Sequence, residues 1–180
     1  MGRVWKFGDN VNTDEIIPGR FNVTTDPKVL AQHCFCEARP EFPSKVIPGD
    51  LIVAGENFGS GSSREHAPLA IKATGIKAVI ACSFARIFYR NAINLGLPVF
   101  ISEQAPKEIN DGDTVEIDFG AFRVRELKGG RAFALQPLPP FILKIFQAGG
   151  IVPFLRKSNL EDLCQGCRSK PRPAGGDRLC

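Results

Sequence analysis

Residues 51–67, with the sequence LIVAGENFGSGSSREHA, join an apolar run to a helical pattern through a loop rich in glycine and serine. The run Leu51–Ala54 predicts a buried strand, and the residues after the loop predict a helix. Gly59 and Gly61 let the backbone take positive φ values and approach a ligand closely. The first turn of the helix offers unpaired N–H groups and a partial positive charge, which favour an anion. This strand–loop–helix unit therefore predicts a binding site for a small carboxylate.

Polar side chains of the loop carry the predicted chemistry. Arg64 can hold a carboxylate through two parallel hydrogen bonds, and Ser62 or Ser63 lies where a reactive oxygen could be stabilised. The loop lacks the Gly-Lys-Ser/Thr of a phosphate-binding loop, the third glycine of a dinucleotide fingerprint and the Gly-x-Ser-x-Gly frame of a hydrolase. A flexible turn in which one serine caps the helix is the structural alternative. His66 is interpreted as a buried, hydrogen-bonded helix residue.

Length and composition are those of one ordinary globular domain. The chain has 180 residues, of which 43% are hydrophobic and 23% charged. No apolar run approaches the roughly 20 residues that span a bilayer, and residues 1–6 lack the apolar core of a signal peptide. These features predict a cytoplasmic protein without a membrane partner.

Positive charge is concentrated at the end of the chain. Six basic and three acidic residues in 156–180 supply +3 of the net charge of +4. The rest is nearly neutral, which argues against nucleic acid as a partner. Residues 1–162 are predicted to form the domain, and residues 163–180, a basic tail rich in proline and glycine, are predicted to be disordered.

Six cysteines raise the possibility of a metal site. Cys34 and Cys36 form one close pair, and Cys164 and Cys167 form another, so the two pairs could together supply the four ligands of a structural zinc site. Reduced thiols in a cytoplasmic chain are the favoured interpretation.

Apolar runs alternate with helical patterns in the first two thirds of the chain. Strands are predicted at residues 4–7, 51–54, 77–81 and 98–101, with helices that begin at Pro27, follow the Gly/Ser loop and span 84–95. Three further strand-like stretches, 114–118, 122–124 and 132–135, are separated by turns and predict an antiparallel meander or a small barrel. Pro140–Ala148 predicts a last helix. The fold class is therefore α/β, with parallel core strands and an antiparallel β portion.

Four motifs, in order, resemble the aconitase family. They lie at residues 12–18 (NTDEIIP), 59–68 (GSGSSREHAP), 83–91 (SFARIFYRN) and 96–98 (GLP), and the resemblance covers about residues 2–155. It implies the family's swivelling β/β/α domain in a small subunit. It also implies a large-subunit partner that carries a 4Fe–4S cluster, with no cofactor in this chain.

The same resemblance implies roles for individual residues in a hydro-lyase reaction. Ser62 is the general base that removes a proton next to a carboxylate, while Arg64 and Ser63 bind the substrate. Thr13 and Asp14 border the site. The cluster iron of the partner acts on the substrate hydroxyl as a Lewis acid.

Substrate choice is linked by the resemblance to the loop after residue 20. Members that accept a third carboxylate, such as homoaconitase, tend to carry a further arginine there, whereas this chain has Val23 and Thr24. An apolar pocket disfavours a carboxylate and favours an alkyl malate, above all 2-isopropylmalate, with dimethylmalate as an alternative. A non-catalytic carboxylate-binding module is the hypothesis from a different class.

Overall fold

Seven strands form one mixed sheet in the order β4-β3-β2-β1-β5-β6-β7. The structure is a computed structural model, and it describes residues 1–157. The strands are β1 (Gly2–Lys6), β2 (Leu51–Ala54), β3 (Ala78–Ala81), β4 (Val99–Ile101), β5 (Thr114–Asp118), β6 (Arg123–Glu126) and β7 (Ala132–Ala134). The α-helices are α1 (Thr13–Ile16), α2 (Pro27–His33), α3 (Phe42–Lys45), α4 (His66–Ala73), α5 (Arg86–Leu95), α6 (Ala105–Glu108), α7 (Pro140–Ala148) and α8 (Ile151–Lys157), and a short 3₁₀ helix spans Gly19–Phe21.

The first four strands are parallel and separate two hydrophobic cores. Successive side chains of β2 point to opposite faces, so Leu51 and Val53 enter one core while Ile52 and Ala54 enter the other. Because both faces are covered, all four residues are buried, which explains the continuous apolar run. The predicted parallel core is confirmed.

The last three strands form the predicted antiparallel meander and continue the same sheet. Side chains of β5 alternate between exposed and buried, as expected for strands with one face in solvent. The sheet curls until its edges approach, and the backbone N–H of Gln136 donates to the carbonyl oxygen of Ile101 at 2.8 Å. The second core, which includes Phe100 and Val124, fills the inside of this curl.

Helices α2 and α5 have well-defined ends. Asp26 caps α2 by accepting a hydrogen bond from the Lys28 N–H at 2.9 Å, and α5 ends at Gly96 with φ +77°. The predicted helix Pro140–Ala148 has the same bounds in the structure. Four short helices, α1, α3, α6 and α8, are additional to the sequence prediction. The predicted domain end at residue 162 and the tail 163–180 lie outside the described residues.

A buried carboxylate holds the amino-terminal end of β1 against the segment that leads into β2. Asp50 is 4% exposed. Its Oδ1 accepts from the Arg3 N–H at 3.0 Å, and its Oδ2 accepts from Trp5 Nε1 at 3.0 Å and from the Ile47 N–H at 3.1 Å. A carboxylate is suited to this place because it only accepts hydrogen bonds.

Replacing Asp50 by asparagine is expected to lower the free energy of unfolding by about 1–3 kcal/mol. The amide keeps one acceptor oxygen but turns an NH₂ group towards at least one of the donors. Urea denaturation measures the difference. Glu103→Gln, at an exposed position, is the control and should change stability by less than about 0.5 kcal/mol; equal effects of the two substitutions would contradict the assignment.

Candidate active site

Three loops meet at the carboxyl ends of β1, β2 and β3. We call residues 8–24, 55–65 and 82–85 the three site loops. Since parallel strands point the same way, the loops that follow them lie at one edge of the sheet. Backbone hydrogen bonds join the loops: the Gly59 N–H donates to the Val11 carbonyl at 2.8 Å and the Ala85 N–H to the Phe58 carbonyl at 2.9 Å. The site is therefore built on loops that brace one another.

Two glycines shape the central loop as the sequence predicted, with φ of +79° at Gly59 and +95° at Gly61. A methyl group at Gly59 would collide with the ring of Phe88, and one at Gly61 would lie 2.5 Å from Asn12 Oδ1. The two glycines therefore allow close packing within the protein rather than contact with a ligand: Gly59 packs against α5, and Gly61 packs against the start of α1. This packing fixes the backbone that carries Ser62.

Helix α1 packs against the backbone of Ser62 and is joined to it by a hydrogen bond. Asn12 forms a capping box, in which its side chain accepts from the Asp14 N–H at 2.9 Å and its own N–H donates to Glu15 Oε1 at 3.2 Å. Thr13 is only 1% exposed, and its hydroxyl donates to the carbonyl oxygen of Ser62 at 3.3 Å. The first motif of the sequence thus contains a short helix, α1, beside the Gly/Ser loop.

Arg64 is the meeting point of two of the site loops. Its side chain is 25% exposed, and its guanidinium forms an ion pair with Asp14. When the Asn22 amide is oriented by its hydrogen bonds, its oxygen accepts from Arg64 Nε and Nη1, both at 3.3 Å. Gly19 lies close to the guanidinium: a methyl group on its Cα would be only 3.3 Å from Arg64 Nη1. The arginine is held in place by anionic and neutral acceptors from the first site loop.

Ser62 and Ser63 are exposed at this edge. The hydrogen bonds among residues 1–157 use the Ser62 carbonyl, which accepts from Arg64 N–H at 2.8 Å, but neither serine hydroxyl. Helix α4 begins at His66, and its N-cap residue is Glu65, without a side-chain cap. The capping alternative for the serines is therefore wrong. Their hydroxyls are left facing the open edge.

His66 differs from its sequence interpretation. It is partly exposed rather than buried, and its imidazole takes part in none of the hydrogen bonds among the described residues. As the first residue of α4, it lies at the helix end that faces the site edge, where side chains are less covered than in the middle of the helix.

The predicted specificity loop lies next to Arg64 because Asn22 links the two. Val23 is 91% exposed and Thr24 half-buried, and the Thr24 hydroxyl accepts from the Asp26 N–H at 3.1 Å. Arg20, on the 3₁₀ helix, lies over the ring of Phe21 and forms an ion pair with Glu37. Val23 therefore presents an apolar surface near Arg64, while Arg20 is ion-paired with Glu37.

Sequence reasoning missed the contacts of Gly19 and Asn22 with Arg64. The two segments are more than forty residues apart in the chain, and neither residue type is diagnostic of such a contact. The 3₁₀ helix that brings them together has no hydrophobic period of its own.

Metal ligands are not grouped in the described part of the chain. Among residues 1–157, no three His, Cys, Asp or Glu side chains are placed to hold a metal ion. Cys34 is fully buried, and burial raises the pKa of its thiol, which favours the neutral form over the thiolate that binds metals. Cys164 and Cys167 lie outside the described residues, so the four-cysteine hypothesis stays a prediction.

No helix within residues 1–157 combines the length and the apolar composition that crossing a bilayer requires.

Comparisons with known proteins place this geometry among enzyme subunits. Residues 4–104 match the aconitase C-terminal domain family. The 3-isopropylmalate dehydratase small subunit of Thermodesulfovibrio yellowstonii is 54% identical over 90% of this chain and 97% of its own length. The isopropylmalate/citramalate isomerase small subunit of Methanocaldococcus jannaschii is 52% identical over 89% of this chain and 95% of its own length. A crystal structure of 3-isopropylmalate dehydratase (LeuD) from the same archaeon superposes with a TM-score of 0.82 at 50% identity, covering 93% of this chain and 98% of that one.

Proposed function

Because this chain belongs to the aconitase C-terminal domain family, and within it to the small subunits of 3-isopropylmalate dehydratase, we propose that its site edge binds an alkyl malate and moves the proton in that reaction. The activity is that of a hydro-lyase in leucine biosynthesis. It interconverts 2-isopropylmalate and 3-isopropylmalate by removing and re-adding water. The observation that carries the proposal is the meeting of Ser62, Ser63 and Arg64 at one exposed edge of the sheet.

A large subunit completes the enzyme, as the name of the small-subunit relatives implies. We propose that this partner carries the 4Fe–4S cluster, which, when bound there, supplies a Lewis acid for the substrate hydroxyl. The described residues of this chain do not offer the cluster a set of ligands. The subunit is expected in the cytoplasm, where a biosynthetic enzyme of this class meets its substrate.

Ser62 is proposed as the general base. Its backbone is fixed by Thr13 and by the turn to Arg64, while its hydroxyl is open to a ligand. A serine hydroxyl acts as a base only after it loses its proton. The positive charge of Arg64 two residues later favours the alkoxide, and a cleft closed by the partner strengthens this attraction because water is excluded. The alkoxide then takes the proton from the carbon next to a carboxylate and later returns it.

Arg64 is proposed to bind one substrate carboxylate, with Ser63 donating a further hydrogen bond. Asp14 and Asn22 engage Nε and Nη1 of the guanidinium, so the two N–H groups of Nη2 are the donors left for the carboxylate oxygens. Asp14 borders the substrate and orients Arg64 through their ion pair, and Thr13 borders it from beneath the Ser62 backbone. Neither of these two needs to take part in a bond-breaking step.

The apolar surface of Val23 supports an alkyl malate as the substrate. Neither Val23 nor Thr24 carries a charge, so a third carboxylate at these residues would be desolvated without a further cation to compensate it. An isopropyl group, in contrast, gains from contact with Val23 and with the methyl group of Thr24.

Reconstitution tests the proposal. The chain is mixed, without oxygen, with the cluster-loaded large subunit of the same organism, and isopropylmaleate is followed by its absorbance. Turnover is expected only from the mixture, with a higher kcat/KM for isopropylmalate than for citramalate or dimethylmalate, and the lowest for homocitrate. Turnover by this chain alone, or none with a large subunit that another small subunit activates, would contradict it.

A further inference from the structure

One face of α5 presents two arginines and an isoleucine to solvent. Arg86, Ile87 and Arg90 are all exposed, and Ile87 is 42% exposed despite its apolar side chain. Residues three and four apart are neighbours on a helix surface, so the three form one patch, which we call the α5 arginine face. The opposite side of the helix packs Phe88 and Ala92 into the core.

This face breaks two local rules of helix stability. Arg86 is the first residue of α5, where the helix dipole disfavours a cation, and the N-cap residue Ala85 offers no side-chain hydrogen bond. Arg86 and Arg90 are like charges at i and i+4, a destabilising spacing. Within residues 1–157 neither forms an ion pair. Such conflicts with local preference are typical of functional surfaces.

The α5 arginine face adjoins the edge that carries Ser62. The Ala85 N–H donates to the Phe58 carbonyl at 2.9 Å, and Gly59 is packed on the ring of Phe88. The start of α5 is therefore fixed to the Gly/Ser loop. A protein that covers Ser62 to close the cleft would also contact the first turns of α5.

From this placement, which rests on the proposed function, we propose that the α5 arginine face docks an acidic surface of the large, cluster-bearing subunit, with Ile87 as the apolar contact at its centre. Charge complementarity favours the large subunit over a second copy of this chain. A second copy of this chain paired through the same face would bring four arginines together and would be repelled at low salt. Uncompensated arginines beside the site instead steer an acidic partner towards the orientation that brings its cluster to the substrate.

A charge-reversal experiment tests the docking. The double variant Arg86→Glu/Arg90→Glu and the control Lys45→Glu/Lys128→Glu change the net charge equally, and both control lysines are exposed outside the three site loops. The Kd for the cluster-loaded large subunit is measured at low and high salt. The α5 variant is expected to bind about tenfold or more weakly at low salt, with a smaller difference at high salt, and the control within about twofold of the unchanged chain. Ile87→Asn should weaken binding equally at both salt concentrations.

Several outcomes would overturn the proposal. An unchanged Kd for the α5 variant, an equal effect of the control, or loss of self-association without a change in large-subunit affinity would each do so. If the glutamate variant fails to fold, Arg86→Gln/Arg90→Gln serves in its place and should give a smaller weakening with the same salt dependence. Failure of the unchanged chain to activate its partner counts against the proposed function instead, so the two failures are distinguishable.

Discussion

Replacing Ser62 by alanine is expected to lower kcat of the reconstituted enzyme by about 10²–10⁴-fold, the usual contribution of a general base. The substitution removes one oxygen from an exposed position whose hydroxyl makes no hydrogen bond among the described residues, so the fold should be unaffected. KM should change little, because the substrate carboxylate is bound elsewhere.

Solvent isotope exchange gives this prediction a second measurement. If Ser62 moves the proton, exchange of the substrate C–H with solvent deuterium should fall in parallel with turnover. Ser63→Ala is the matched control, one residue away and equally exposed. It should cost about tenfold in kcat/KM, the value of one hydrogen bond to a charged group. Turnover of the Ser62 variant within about tenfold of the unchanged enzyme would remove the residue from the role of base.

Replacing Arg64 by glutamine is expected to lower kcat/KM by about 10²–10³-fold, since two charge-assisted hydrogen bonds to the substrate carboxylate are lost. Arg64→Lys should recover only part of this loss, because an ammonium group is a point charge and cannot match both oxygens at once. Steady-state kinetics with isopropylmalate, at saturating large subunit, measures both.

Asp14→Asn is the control for Arg64. It leaves the guanidinium in place but removes the anion that orients it, so we expect a loss of roughly tenfold or less, mainly in KM. If the Asp14 variant were as impaired as Arg64→Gln, Asp14 would have a direct role in the reaction rather than an orienting one.

The sequence predicted the fold best where a segment has both a hydrophobic period and residues that start or end a helix or strand. Helix α7 matched residue by residue, because Pro140 starts it and Gly149 ends it with φ +84°. The four missed helices have between four and seven residues, too few for a hydrophobic period to emerge. For α1, the Asn12–Glu15 spacing of a capping box was present in the sequence, but the Pro-Gly that follows the two isoleucines leaves room for only one helical turn.

The sequence predicted which segments form the site, but it did not predict which of their side chains are in contact. The order of the motifs placed the first loop and the Gly/Ser loop together, and their meeting at Arg64 and Asp14 follows from parallel strands that end at one edge. The burial of Thr13 depends on how α1 packs against the Gly/Ser loop, and the contact of Asn22 depends on the 3₁₀ helix that it ends; the local sequence encodes neither. The roles of Ser62, Ser63, Val23 and Thr24 stay predictions for the experiments above.

The curled sheet has a practical consequence for following the enzyme at work. The turn between β5 and β6 passes Pro98 and Lys77, at the amino-terminal end of the parallel strands, and Ala121 at its tip is exposed. A fluorophore attached through Ala121→Cys would sit far from the chemistry yet move rigidly with it. Energy transfer to a second dye on the large subunit would then report whether the distance between the two subunits changes during turnover.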